Sequence, residues 1–175
     1  MLITLAYVKR KLGLTNSDDD LVLTDFINAR SKDFEDLESE ERTEYYDGDG
    51  TSSLILRHLP ITSIKAIYDD LDRVYGSDTL IDSGDYTFYT AEGIVKLDVG
   101  CFMRGIRNVK ITYTAGYTEA TIPEDFKLAL AQFVMADYLE VKGGVNAFEG
   151  ETLTYKPANL RKQAEAIWEK YRIWR

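Results

Sequence analysis

The sequence predicts an α+β fold: a four-helix core, two helices at each end of the chain, with an inserted antiparallel β-rich region at about 43–117. Three observations point there. Apolar residues recur at helical spacing before residue 40 and after residue 122, which marks amphipathic or buried helices. The middle is rich in Tyr, Thr, Ile and Val and broken by Gly, Asp and Ser, the signature of short strands joined by turns. And 175 residues, 45% hydrophobic and 29% charged, suit one domain with a core of its own.

Thr4 is placed to cap a first helix over Leu5 to Leu12, and Gly13 supplies the left-handed stop. Ser17 with Asp20 three residues on resembles a capping box, and Asp18, Asp19 and Asp20 load the positive end of a second helix. Leu23, Phe26, Ile27, Arg30, Phe34 and Leu37 keep that helix in phase over about 18–40. Thr43–Tyr46, Ser53–Arg57, Ser63–Tyr68, Tyr86–Tyr89, Ile94–Leu97 and Asn108–Thr114 read as strands. Asp47-Gly48-Asp49-Gly50 is a turn between the first two, and Ala91-Glu92-Gly93 a hairpin turn later on. Asp69 to Gly84 has little periodicity and reads as an exposed loop or an excursion between strands. Pro123 opens a third helix at its first position, over about 123–142. Its apolar residues, Phe126 to Val141, are too many for one stripe, so several sides are buried. Gly143-Gly144 ends it, and 145–156 is a linker. A last helix over about 158–173 carries Leu160, Ala164, Ile167, Tyr171 and Trp174 in a narrow seam, the pattern of one helix packed on one other. Arg161 with Glu165 is an i,i+4 pair on its flank.

The same residues argue against chemistry. His58 is the only histidine, at a strand end with no serine or cysteine elbow beside it, so a Ser-His-Asp or Cys-His triad has no frame. Cys101 sits among Gly100, Phe102 and Met103 and reads as a buried, inert thiol. A lone cysteine permits no intrachain disulfide and fits synthesis in a reducing, intracellular place. One Cys and one His make no zinc site without carboxylates. Asp47-Gly48-Asp49-Gly50 begins like a calcium loop, but the twelfth position is His58 where glutamate is needed. Gly-rich phosphate loops are absent. No catalytic residue, metal or cofactor is therefore expected. No run of about 18 apolar residues occurs, and Met1-Leu2-Ile3-Thr4 lacks the form of a secretory signal, so no membrane is expected.

Charge is uneven. The chain carries −9, which disfavours general nucleic-acid binding. Residues 15–50 hold thirteen Asp and Glu against three Lys and Arg, a balance of −10; residues 156–175 hold six Lys and Arg against two Glu, a balance of +4. Two readings stand: a head-to-tail contact between copies, or two solvated helix faces.

The order of segments carries a resemblance. Met1-Leu2-Ile3-Thr4-Leu5-Ala6 through Lys11-Leu12-Gly13-Leu14, with the acidic helix holding Leu23, Phe26 and Ile27, resembles the opening of the tailed-bacteriophage head-tail connector (adaptor) family. YYDGDGTSSLILRHLPITSIKAIYDD (Tyr45 to Asp70) looks like the β-insertion of its longer phage and prophage members, which compact members largely lack. VKITYTAGY (Val109 to Tyr117) followed by IPEDFKLALAQFVMADY (Ile122 to Tyr138) is similar to the family's junction between last strand and third helix.

The resemblance implies a structural subunit of the virion neck, made in the bacterial host cytoplasm, with a monomer and an oligomer both open to the isolated chain. In the particle it would form a homo-oligomeric ring, usually twelve-fold, between the portal protein and the head-closure, stopper or tail protein. The ring would extend the DNA channel without sequence-specific binding. It also implies that Leu160 to Arg175 reaches towards the portal, with Trp168, Tyr171 and Trp174 as hydrophobic anchors and Arg161 and Arg172 beside them. The acidic stretch, Glu38, Glu40, Glu41, Asp47 and Asp49, would face the channel. Two other classes remain: a small regulatory or binding module whose β-rich region holds a peptide or nucleic acid, marked by a basic patch, and a hydrolase using Asp and Glu, marked by a deep pocket of converging carboxylates.

Overall fold

The computed structural model describes residues 2–142 and 156–172, with the side chains of Asp36, Lys170, Tyr171 and Arg172 left out. The Gly143-Gly144 stop, the 145–155 linker and Trp174 lie outside the described residues. Four helices and antiparallel sheets give the α+β fold, and the chain divides into two compact units, Met1–Glu35 with Thr118–Arg175, and Asp36–Tyr117.

The first unit is helical. α1 (Leu5–Leu12) is capped as its sequence requires: Tyr7 N–H donates to Thr4 Oγ1 at 3.3 Å, and Gly13 turns left-handed at φ 70°. α2 (Asp20–Asp33) is shorter than the 18–40 its periodicity predicts. The capping box does not form; Asp19 is the cap residue, and its carboxylate accepts instead from Tyr138 Oη at 2.6 Å and pairs with Lys142 Nζ at 2.6 Å. A 3-10 turn, Glu35–Leu37, follows, and the charged residues from Glu40 on leave the helix because they pair in a sheet. Tertiary pairing overrides the helix preference of Glu and Arg there.

α3 (Glu124–Val141) is the centre of this unit. Phe126, Ala129, Leu130, Val134, Met135, Tyr138 and Leu139 are buried along its length, as an all-round apolar helix demands. Pro123 stands one place earlier than predicted, at the cap rather than inside the first turn. α4 (Pro157–Arg172) lays Leu160 and Ala164, 3% and 0% exposed, against α3.

The second unit is all β. β1 (Glu40–Gly48), β3 (Ile61–Asp69), β4 (Leu80–Ile81) and β7 (Gly105–Ala115) form one antiparallel sheet in the order β1-β7-β3-β4. β2 (Ser53–Ile55), β5 (Tyr86–Tyr89) and β6 (Ile94–Leu97) form a second in the order β2-β6-β5. The later hairpin turn joins β5 to β6, with Tyr89 opposite Ile94. The Asp47–Gly50 turn does not make a hairpin: β1 pairs with β7 and β2 with β6, so it carries the chain from one sheet to the other. Gly48 is required there, because a Cβ would lie 1.8 Å from the carbonyl oxygen of Met103. Tyr46, Ile67, Val109, Ile111 and Tyr113 from the first sheet meet Val95 and Leu97 from the second in one apolar core.

Candidate functional site

Sequence reasoning points to two surfaces, the last helix and the acidic segment, and each lies in its own unit.

On the last helix, Arg161 turns to α3 rather than to Glu165. Its Nη2 reaches Asp137 Oδ1 at 2.7 Å and its Nη1 reaches Glu140 Oε1 at 2.6 Å. Arg30 of α2 closes on the same carboxylate, Nε to Oδ2 at 2.6 Å and Nη2 to Oδ1 at 2.8 Å. One half-sheltered aspartate thus ties three helices together. Burial pushes its carboxyl up, but the hydrogen bonds from Arg30 and Arg161 outweigh that and hold it below the usual carboxylate range. Nothing in the sequence around Asp137 marks this role, since both arginines are remote in sequence.

Trp168 belongs to an aromatic group: its ring lies 4.6 Å from Phe34, edge-on, and 5.5 Å from Phe126. It is half-buried, so part of the ring still meets solvent. Tyr171 and Arg172 lie in the last turn of α4, and Trp174 beyond it. α4 is therefore a helix docked by its Leu160–Ala164 side, with Arg161 spent on α3.

The acidic residues fall along the start of the β unit. Glu38 bridges to Tyr117; Glu40 pairs with Arg42 at 3.2 Å; Glu41 takes Lys65 on both oxygens at 2.9 Å. Asp47 accepts from Arg107 N–H at 2.7 Å. Asp49 accepts from Thr51 Oγ1 and N–H, which hold its pKa low. Glu40, Glu41, Asp47 and Asp49 are exposed and lie along one strand and its turn.

Within this acidic segment Glu44 is sheltered, its side chain 15% exposed. It accepts from Tyr46 Oη and, at 2.7 Å, from Tyr113 Oη, with His58 Nε2 at 3.7 Å and Arg57 at 3.8 Å. Burial raises its pKa, and the two tyrosine bonds, His58 and Arg57 bring it below the usual value. Burial and these bonds push Tyr113 up to about 12 and Tyr46 higher still. Strand parity carries the signal for this network, because Glu44 shares the inward side of β1 with Tyr46. His58 is accordingly part of a polar cluster and not simply a strand-end residue. Cys101, expected buried, is exposed: the Gly-rich segment around it is a loop in which Phe102 alone turns into the core. Among the described residues no group of three or more His, Cys, Asp or Glu is placed to hold a metal ion, and no helix is long and apolar enough to cross a membrane.

The sequence profile of the head completion protein family matches residues 1–174. The chain belongs to that family. As a head completion protein it is a structural subunit of a phage-type neck. Among solved structures it is similar to a chain in the neck of an empty GTA particle computed with C6 symmetry, at TM-score 0.59 and 15% identity, over 93% of this chain and 88% of that one. A chain in the virion of a native gene transfer agent (GTA) particle follows at TM-score 0.56 and 17% identity, over 93% and 88%. One in a native GTA neck computed with C12 symmetry stands at 0.54 and 14%, over the same shares. At these identities the likeness establishes the fold. No curated protein matches the sequence.

Proposed function

We propose that this head completion protein assembles into a homo-oligomeric ring, twelve-fold in the particle, that joins the portal to the stopper or tail and extends the DNA channel. The family match over nearly the whole chain carries the reading, and the fold shared with chains of GTA necks supports it. The role is mechanical rather than catalytic, and assembly proceeds in the host cytoplasm. The Arg30–Asp137–Arg161 tie and the two-sheet core hold each unit together as a building block for such a ring. The end of α4, with Trp168, Tyr171 and Arg172, serves as the portal contact together with Trp174, which follows in sequence, and Glu38, Glu40, Glu41, Asp47 and Asp49 turn a negative surface to passing DNA.

The test is to mix purified chain with portal rings and inspect the product by negative stain. A collar of added density on one portal face, at saturating stoichiometry of one chain per portal subunit, is expected. No association with portal, together with a stable closed dimer in solution, refutes the reading.

A further inference from the structure

In a chain with net charge −9, one cluster runs the other way. At the end of α1, Arg10 and Lys11 lie 5.2 and 5.5 Å from the ring centre of Tyr7, and Lys127, from the first turns of α3, lies 5.4 Å from the same ring. Lys9 is spent on Asp20 at 2.6 Å, whereas these three surround the tyrosine. Arg10 and Lys11 are exposed, Lys127 is half-buried with its Nζ donating to the Glu119 carbonyl at 3.1 Å, and Tyr7 is buried, so the ring is a fixed platform on which the three cations sit. Glu124 is the acidic group near the ring, which leaves the cluster positive. Three cations within about one Debye length repel one another at ~0.1 M salt, a cost that an incoming anion relieves. Cations at a helix end offset the dipole of α1, but Lys127 comes from another helix and has no part in that.

The complement is present on the same chain. The β unit, Asp36–Tyr117, has fifteen Asp and Glu against eight Lys and Arg, a balance of −7; the helical unit, with fifteen against thirteen, stands at −2. Within the β unit Asp82, Asp85 and Asp98 are exposed and gathered at one corner, with Asp85 N–H on Asp82 O at 3.0 Å and Asp98 N–H on Asp85 O at 2.9 Å.

Building on the ring reading, we infer that the Tyr7–Arg10–Lys11–Lys127 cluster is a subunit interface, and that it receives the carboxylates of the β unit of a second copy. One patch meets a different patch, the heterologous contact that closes into rings. A contact of this kind also sets the docking rate and its salt dependence.

The experiment is sedimentation velocity of the full chain from about 50 to 500 mM salt, in four forms. They are the natural chain, the triple reversal Arg10→Glu, Lys11→Glu, Lys127→Glu, the milder triple Gln variant, and a charge-swapped chain adding Asp82→Lys, Asp85→Lys and Asp98→Lys to the reversal. Circular dichroism checks that each is folded. The natural chain is expected to associate at low salt and weaken as salt rises. Both triple variants lose at least tenfold in association, and the swapped chain recovers it. Rings formed equally by the natural chain and the folded Gln variant overturn the contact and leave the ring reading standing. A chain monomeric at every salt, with and without portal, overturns both. A labelled DNA duplex bound by the natural monomer and released by the Gln variant reassigns the cluster to phosphate and overturns the carboxylate contact.

Discussion

Replacing Asp137 by Asn keeps the shape of the side chain and removes its charge. Three hydrogen bonds from guanidinium groups end on this carboxylate, at 2.6, 2.8 and 2.7 Å, and its side chain is 12% exposed. Removing one partner of a sheltered charge pair costs about 3–5 kcal/mol where burial is complete. Arg30 and Arg161 are 30% and 34% exposed, and Arg161 keeps Glu140, so solvent screening discounts the figure to about 2–3 kcal/mol. With a urea m-value of about 2 kcal/mol/M, the midpoint falls by about 1–1.5 M. Trp168, packed on Phe34 and Phe126, makes tryptophan fluorescence a readout of the helical unit. The sign with pH follows from the depressed pKa: the carboxylate's contribution is whole above the usual aspartate value of 3.8 and disappears as pH falls through the lower folded value. The natural chain and Asp137→Asn therefore converge in stability in strong acid. A midpoint shift under ~0.3 M at pH 7, or a gap that persists unchanged at pH 2, refutes the claim that this carboxylate ties the three helices.

Further outcomes concern other sites. Glu44→Gln costs about 1–2 kcal/mol at pH 7, and its deficit narrows as pH drops below 4.5, because the unfolded chain takes up the proton there while the folded carboxylate follows only at its lower value; urea titrations across pH 3–7 with tyrosine emission read it. Gly48→Ala drives a methyl onto the Met103 carbonyl, so thermal unfolding of the β unit moves down by several degrees or the chain fails to accumulate folded. Thr4→Ala removes the cap to Tyr7 N–H and lowers stability by about 1 kcal/mol, measured by chemical denaturation. Cys101 reacts stoichiometrically with a thiol reagent in the native protein, without denaturant, since its side chain is exposed.

Local rules made much of this fold legible. Thr4, Gly13 and the periodicity between them fix α1 residue for residue, and Tyr86–Tyr89 and Ile94–Leu97 declare their strands and the turn joining them. The all-round apolar face of α3 announces its burial. What stayed hidden depends on long-range pairing. β1 begins at Glu40 because Glu40 faces Ala115, 75 positions away, and no local preference shows that. The Ser17–Asp20 box does not form, and the cap falls to Asp19, whose carboxylate is taken by Tyr138 and Lys142 from the far end of the chain. Arg161 prefers Asp137 and Glu140 to the neighbour four residues on for the same reason. The site follows suit: exposed charge is visible in sequence, while the convergence of Arg10, Lys11 and Lys127 on one ring requires two helices to be brought together.

The two ends of the β unit are stitched to each other. Tyr117 N–H donates to Leu37 O at 2.7 Å, Ser39 N–H donates to Tyr117 O at 2.9 Å, and Glu38 bridges Tyr117 in parallel. The chain thus departs for the sheets and comes back at a single point, like a cassette whose ligation ends already touch. Residues can be gained or lost between those ends without rerouting the polypeptide on either side, since closing a longer loop adds only about 0.6 kcal/mol per doubling of length. Recombination therefore has a ready breakpoint at 37–39 and 117, and a heterologous β cassette spliced there inherits an entry and exit already held in register.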